Sequence, residues 1–312
     1  MRSACILVAA VMLPLQSVAA QTPPVSTGPL LAVAPTTGQG LEWAAWTARM
    51  SKAQQSLNYD ATLVIDHGRD WELVEVTQRI GPHGPEQQVV ALNGERRRYV
   101  HTAQGVSILG PDGDRRIGQG PDPANGMQVA SVAGAYRVSV GARDRVAGRT
   151  TVHLSIDPLS DDRFGLELWL DADTGLPLRS ERLAADGSVL ERRMVTRLHV
   201  LGFAGMASSP ARRQTAPAPT WTLPTGFVQG GEVIAVPGIP GGRQWILSDG
   251  LAWVSVYRLP LQAGRKPVTT GWRRGAMGQV AINANDSWIY VLGDLPSPTL
   301  ERVGAAVLAA PP

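Results

Sequence analysis

The residues of this 312-residue chain best suited to covalent, acid–base or metal chemistry are five histidines, one cysteine and 26 acidic side chains. His67 and His83 stand in turn-like stretches; His101, His153 and His199 stand in strand-like ones. None has the H-E-x-x-H spacing that places two imidazoles on one helix face around zinc. There is no G-x-S-x-G turn to expose a serine nucleophile and no G-x-x-x-x-G-K loop to cradle phosphates. Gly118-Gln119-Gly120 is a G-x-G without the rest of a dinucleotide fingerprint. Asp171 and Asp173, with Thr174-Gly175, begin like a calcium loop but lack the further ligands and the closing Glu. Their Asp and Gly content reads as a hairpin turn. No catalytic residue, metal ligand or cofactor is assigned, and the chain is not expected to be an enzyme. A hydrolase acting on lipid or glycan is the remaining catalytic alternative.

Binding surface is the other chemistry on offer. Concave apolar sites hold small molecules or acyl chains, and Trp71, Leu73, Trp169 and Leu170 are candidates to line such a cavity. The competing reading of each is plain core packing against the first helix. Charge points to a second surface. Residues 41–205 carry 19 Arg and Lys against 21 Asp and Glu, whereas residues 206–312 carry 9 against 5. Arg243, Arg258, Arg265, Lys266, Arg273 and Arg274 are therefore candidates to meet an acidic partner. Base composition of the genome is the alternative source of the arginine bias. The charge is too dispersed for nucleic-acid binding.

These side chains have to be positioned by a largely β scaffold. Trp43, Trp46, Met50, Ala53 and Leu57 recur at helical spacing. From Asn58 the period becomes two. Strands are expected at Tyr59–Ile65, Trp71–Ile80, Gln87–Leu92 and Arg96–His101, with Asn93-Gly94 as a hairpin turn whose two residues both take positive φ. The Gly- and Pro-rich segment 115–134 reads as a loop or lid. A meander follows at Tyr136–Val140, Thr150–Asp157, Arg163–Leu170, Leu176–Ala184 and Ser188–Phe203. Leu166, Leu168 and Leu170 alternate with Glu167, Trp169 and Asp171, as in an antiparallel sheet with two unlike faces. The whole reads as a large curved sheet wrapped over helical material.

Residues 206–219 read as a Pro-rich linker between domains 41–205 and 220–312. The smaller domain is α+β, with strands at Phe227–Val236, Gln244–Ser248, Ala252–Leu259, Gly278–Ile282 and Trp288–Leu292. A terminal helix is expected to start with Ser297 as N-cap and Pro298 after it. Residues 1–20 have the charged start, short apolar run and Val18-Ala19-Ala20 end of a cleaved secretory signal, with a signal-anchor as alternative. Residues 21–40 form an uncharged flexible leader. Cys5 lies inside the signal, so the exported protein would have neither disulfide nor thiolate chemistry.

Several stretches resemble the RseB/MucB family. They are the helix-to-strand junction Ala53-Gln54-Gln55-Ser56-Leu57-Asn58-Tyr59-Asp60, the hairpin Trp169-Leu170-Asp171-Ala172-Asp173-Thr174-Gly175-Leu176-Pro177-Leu178-Arg179, and Asp186-Gly187 with Leu190-Glu191. In the second half they are Trp221–Phe227, Ser248-Asp249-Gly250-Leu251 and the run from Asn283 to Pro296. The 115–134 segment and the uncharged leader depart from the family's pattern. The resemblance implies a lipoprotein-carrier-like, unclosed β-barrel around helices, plus a small C-terminal domain. It also implies a periplasmic protein that binds the periplasmic part of a transmembrane anti-sigma factor (RseA/MucA-like). That protein would shield its partner from the first protease cut and be released by lipid or lipopolysaccharide acyl chains. A periplasmic lipid or lipoprotein carrier is the rival reading, and homo-oligomer formation stays open.

Overall fold

The computed structural model describes residues 39–102, 105–110, 113–118, 134–205, 221–229, 234–236, 238–260, 268–284 and 287–310. The segments expected as signal, leader (apart from 39–40) and linker (206–219), together with residues 119–133, lie outside them.

Helix α1 spans Gln39–Ser56. Its stripe behaves as the spacing requires: Trp43, Met50 and Ala53 are buried and Trp46 is half-buried. Leu57, the next residue on that stripe, already opens strand β1 (Leu57–Asp66). The main chain therefore turns from helix to strand without a loop. Burial then alternates strictly along β1, with Leu57, Tyr59, Ala61, Leu63 and Ile65 inward. This period of two puts every second side chain on the core face.

Ten further strands complete the first sheet: β2 (Trp71–Gly81), β3 (Gly84–Ala91), β4 (Arg98–Thr102), β5 (Gly105–Gly110), β6 (Gly113–Gly118), β7 (Tyr136–Val146), β8 (Arg149–Pro158), β9 (Gly165–Asp171), β10 (Pro177–Leu183) and β11 (Val189–Phe203). Their order is β6-β5-β4-β3-β2-β1-β11-β10-β9-β8-β7. Two antiparallel meanders are thus joined where β1 pairs β11. The sheet ends at β6 and β7 and does not close. Irregular register in β1, β10 and β7 marks bulges, which bend strands and increase twist. One face holds α1; the buried residues of β8 and β9, among them Leu154, Ile156, Leu166, Leu168 and Leu170, pack there on Trp43 and Met50.

Turn chemistry differs from expectation at two places. Of Asn93-Gly94 only Gly94 has positive φ, at 70°. The loop is wider, closed by the Ala91 amide donating to Arg97 O at 2.9 Å. Asn93 instead ties the hairpin to β2, its Oδ1 accepting from the Leu73 amide at 2.7 Å. The two-residue turn with both φ positive is Ala147-Gly148 (48° and 77°), between β7 and β8. The start of the expected 115–134 loop is strand β6.

The second sheet comprises β12 (Val228–Gln229), β13 (Ile234–Ala235), β14 (Arg243–Ser248), β15 (Trp253–Pro260), β16 (Val268–Arg274), β17 (Met277–Ala284) and β18 (Ser287–Gly293). The order is β12-β14-β15-β18-β17-β16, with β13 also on β14. The single strand expected at 227–236 is thus two short ones, and β16 was not anticipated. Helix α2 (Ser297–Ala309) covers this sheet with Leu300, Val303 and Val307. Pro296, not Ser297, is its N-cap.

Candidate functional site: the rim between the two sheets

One rim of the large sheet is formed where β1 and β10 end and β2, β7, β9 and β11 begin. Register decides what faces inward there. Ser180 lies opposite Leu168 and Arg193; Arg182 lies opposite Leu166 and Glu191. Since Leu166 and Leu168 face α1, these partners share the inner face. The inner surface is therefore apolar in its depth and charged in its last rows.

The C-terminal domain docks on this rim through pairs that neither domain completes alone. Arg163 Nε donates to Asp249 Oδ2 at 2.7 Å, with 2% and 0% of the two side chains exposed. Tyr136 Oη donates to the same oxygen at 2.9 Å, and Arg163 also donates to Thr225 O. Arg182 donates to Asp294 Oδ2 at 2.7 Å and to Leu251 O at 3.3 Å. Arg274 reaches back to Asp70 at 2.6 Å and Glu72 at 2.7 Å. A small cleft between Ser180, Arg193, Trp253 and Met277 remains at the joint. Burial pushes Asp294 up to about 6 against the opposing pull of Arg182. Burial also works to raise Glu191, but Arg193 and His67 bring it down to about 2.

The turn Ser248–Ala252 carries this docking further. Asp249 Oδ1 accepts the amides of Leu251 at 2.9 Å and Ala252 at 2.7 Å, closing a tight turn. That turn projects Leu251 (2% exposed) out of its own domain. It packs into the inner-face cluster of Trp43, Met50, Leu166, Leu168 and Leu170.

The four cavity candidates do not line one surface. Trp169 and Leu170 are consecutive and point to opposite faces. Leu170 belongs to the inner cluster. Leu73, Val64, Met194, Arg179 and Trp169 form one cross-strand row on the outer face. Trp71, two residues before Leu73, shares that face and is 59% exposed. Trp169 is held there between the His153 ring at 4.7 Å and the Arg179 guanidinium at 4.1 Å.

Among the basic candidates, Arg265 and Lys266 lie outside the described residues. Arg243 is exposed and opposite Arg258, which donates to Ser287 Oγ at 3.4 Å. Arg273 is turned inward, donating to Ala276 O, Leu295 O and Ser297 Oγ beside the Phe164 ring. Burial lowers its pKa. Arg274 is held by the acids of the other domain.

Two arrangements have a catalytic look. Ser155 Oγ donates to Glu167 Oε1 at 2.8 Å while His153 bonds Glu167 Oε2. The acid stands between serine and histidine, so the histidine cannot take the serine's proton as a base must. Asp171 is buried and engaged by Arg149 and by the amides of Asp173 and Thr174, which accounts for it as a turn. Among the described residues, no group of three or more His, Cys, Asp or Glu is arranged to hold a metal.

Sequence reasoning missed Arg163, Arg182, Asp249, Leu251 and Asp294. One signal was available: Leu251-Ala252-Trp253 is apolar immediately after a Ser-Asp-Gly turn, where solvated residues are the norm.

An open, helix-filled sheet whose rim is bridged by a second, smaller domain is the architecture of a two-domain binding protein. The chain belongs to the MucB/RseB family: residues 42–219 match the MucB/RseB N-terminal domain and residues 218–308 the MucB/RseB C-terminal domain. The chain is 26% identical over 304 residues to the sigma factor AlgU regulatory protein MucB of Pseudomonas aeruginosa, covering 90% of this chain and 94% of that one. It is 24% identical to the sigma-E factor regulatory protein RseB of Escherichia coli K12, covering 82% and 87%. The solved Pseudomonas aeruginosa MucA/MucB complex is similar at TM-score 0.67 and 26% identity, covering 84% of this chain and 97% of that chain. MucB in complex with the periplasmic part of MucA is similar at TM-score 0.62.

Proposed function

We propose that this protein is a periplasmic regulator of an envelope-stress sigma factor and acts by binding the periplasmic part of a membrane-spanning anti-sigma factor. The observation that carries this reading is similarity across both domains to MucB, whose solved structures include complexes with MucA. Export by a cleaved signal at residues 1–20 belongs to the reading. Among the described residues, no helix is long and apolar enough to cross a membrane. The bound regulator shields its partner from proteolysis, and acyl chains of lipid or lipopolysaccharide release it. Release of this kind requires that lipid bind the free form better than the complexed one.

The test is affinity capture of the tagged protein from its own cell envelope. A transmembrane anti-sigma factor in the eluate supports the reading. An eluate holding lipid alone, with transfer of that lipid between vesicles, would replace it with a carrier function, which the unclosed sheet also suits.

A further inference from the structure

We propose that Leu251 is a plug: it occupies ground on the inner face that an incoming acyl chain needs, so a bound acyl chain and the docked C-terminal domain exclude one another. The inference rests on the reading that acyl chains enter the large domain, and it names the residue through which they would act.

Among the described residues, Leu251 is the one from beyond β11 in its apolar cluster; the others come from α1, β7, β8, β9 and Ala135 just before β7. It is buried among Trp43, Met50, Leu166, Leu168 and Leu170. Trp46, Val138 and Val140, packed against the same cluster, are only partly buried. The leucine cannot withdraw alone. One Asp249 oxygen holds the amides of Leu251 and Ala252, and the other is held by Tyr136 and Arg163 on the rim. Arg182 further holds Leu251 O. Displacing the side chain therefore strips the rim of these contacts and loosens the docking, leaving Arg274 with Asp70 and Glu72 to hold the domains at one side. Competition for one apolar site is reciprocal, so docking must weaken acyl binding by the factor with which acyl binding weakens docking.

The test uses the full mature chain and a fluorescent sixteen-carbon fatty acid below its micelle concentration. Leu251→Ala should bind it about tenfold more tightly than wild type, having lost the competitor. Ala135→Cys with Gly226→Cys should bind it about tenfold more weakly when oxidised, and regain binding when reduced. A Cβ built at Gly226 lies 3.9 Å from Ala135 Cβ, close to the separation of about 3.8 Å in disulfides. The reduced form carries the same strain at Gly226 and controls for it. Hydrogen exchange at the amides of Leu251 and Ala252 should accelerate in wild type when the fatty acid is added. Equal affinity in all forms, with no change in exchange, overturns the plug and leaves lipid binding standing. Binding to none of them, Leu251→Ala included, overturns the plug and the acyl-chain reading together.

Discussion

Arg182 of β10 and Asp294, just after β18, meet 2.7 Å apart across the joint between the two sheets, each about 5% exposed. Asp294 Oδ1 also accepts the Trp253 amide at 2.8 Å, and the buried carboxylate of Asp249 is close enough to act on it. The pair makes docking of the domains a titratable event. Asp294 sits at about 6 when docked, against an ordinary value of 3.8. A raised acid pKa means that its contribution is fully present below 3.8 and is lost as pH rises through about 6. Glu191, lowered to about 2, contributes in full above 4.5 and so adds no slope there. Between pH 4.5 and 7 the joint should tighten on acidification, by about 2 kcal/mol. Thermal unfolding at pH 5 and 7 measures this, and Asp294→Asn should flatten the difference.

Removing one partner of a buried pair strands the other. Arg163→Ala leaves Asp249 buried without its cation and should cost about 3–5 kcal/mol. Arg274→Ala acts on a pair whose acid, Asp70, is half exposed, and should cost about 1 kcal/mol or less. Denaturant midpoints of the two variants, measured side by side, check the contrast.

Gly175 closes the β9–β10 hairpin with φ +81°, and a Cβ there would lie 2.7 Å from the Arg49 main-chain carbon. The Arg49 guanidinium in turn donates to Ala172 O at 2.6 Å, a second contact between α1 and this hairpin. Gly175→Ala meets both an unfavourable φ and a collision. It should lower stability by about 2 kcal/mol or more, read as a fall in melting temperature.

Among the described basic candidates Arg243 is the exposed one, whereas Arg273 and Arg274 are engaged within the chain, so we propose that an acidic partner would meet Arg243 before either of them. Arg243→Glu should slow association with an acidic partner peptide at low salt. The effect should fade once screening reaches about 8 Å. Arg273→Glu should instead lower stability. Association kinetics at two ionic strengths, with melting curves beside them, separate the two outcomes.

Local pattern alone determined a good deal. The 3-4-3-4 stripe ending in Leu57 located α1 and its junction with β1, because helix geometry repeats within a few residues. Alternation at Leu166, Leu168 and Leu170 located an inner face, because strand side chains alternate whatever the strand packs on. Turn residues were harder to read. Asn93-Gly94 and Ala147-Gly148 look alike as signals for a sharp turn only if Ala is admitted, and the choice between them was made by how the flanking strands register. Which face of β2 lies inside could not be read from Trp71 and Leu73 themselves. That depends on the pairing of Leu73 with Val64, and of Val64 with Met194, residues separated by 130 positions in the chain. The joint is the extreme case. Arg163, Arg182, Asp249 and Asp294 are ordinary charged residues near turns until the two sheets bring them together. Burial of their charges, and with it the shift of Asp294 and the placing of Leu251 in the other domain's core, exists only in the docked structure.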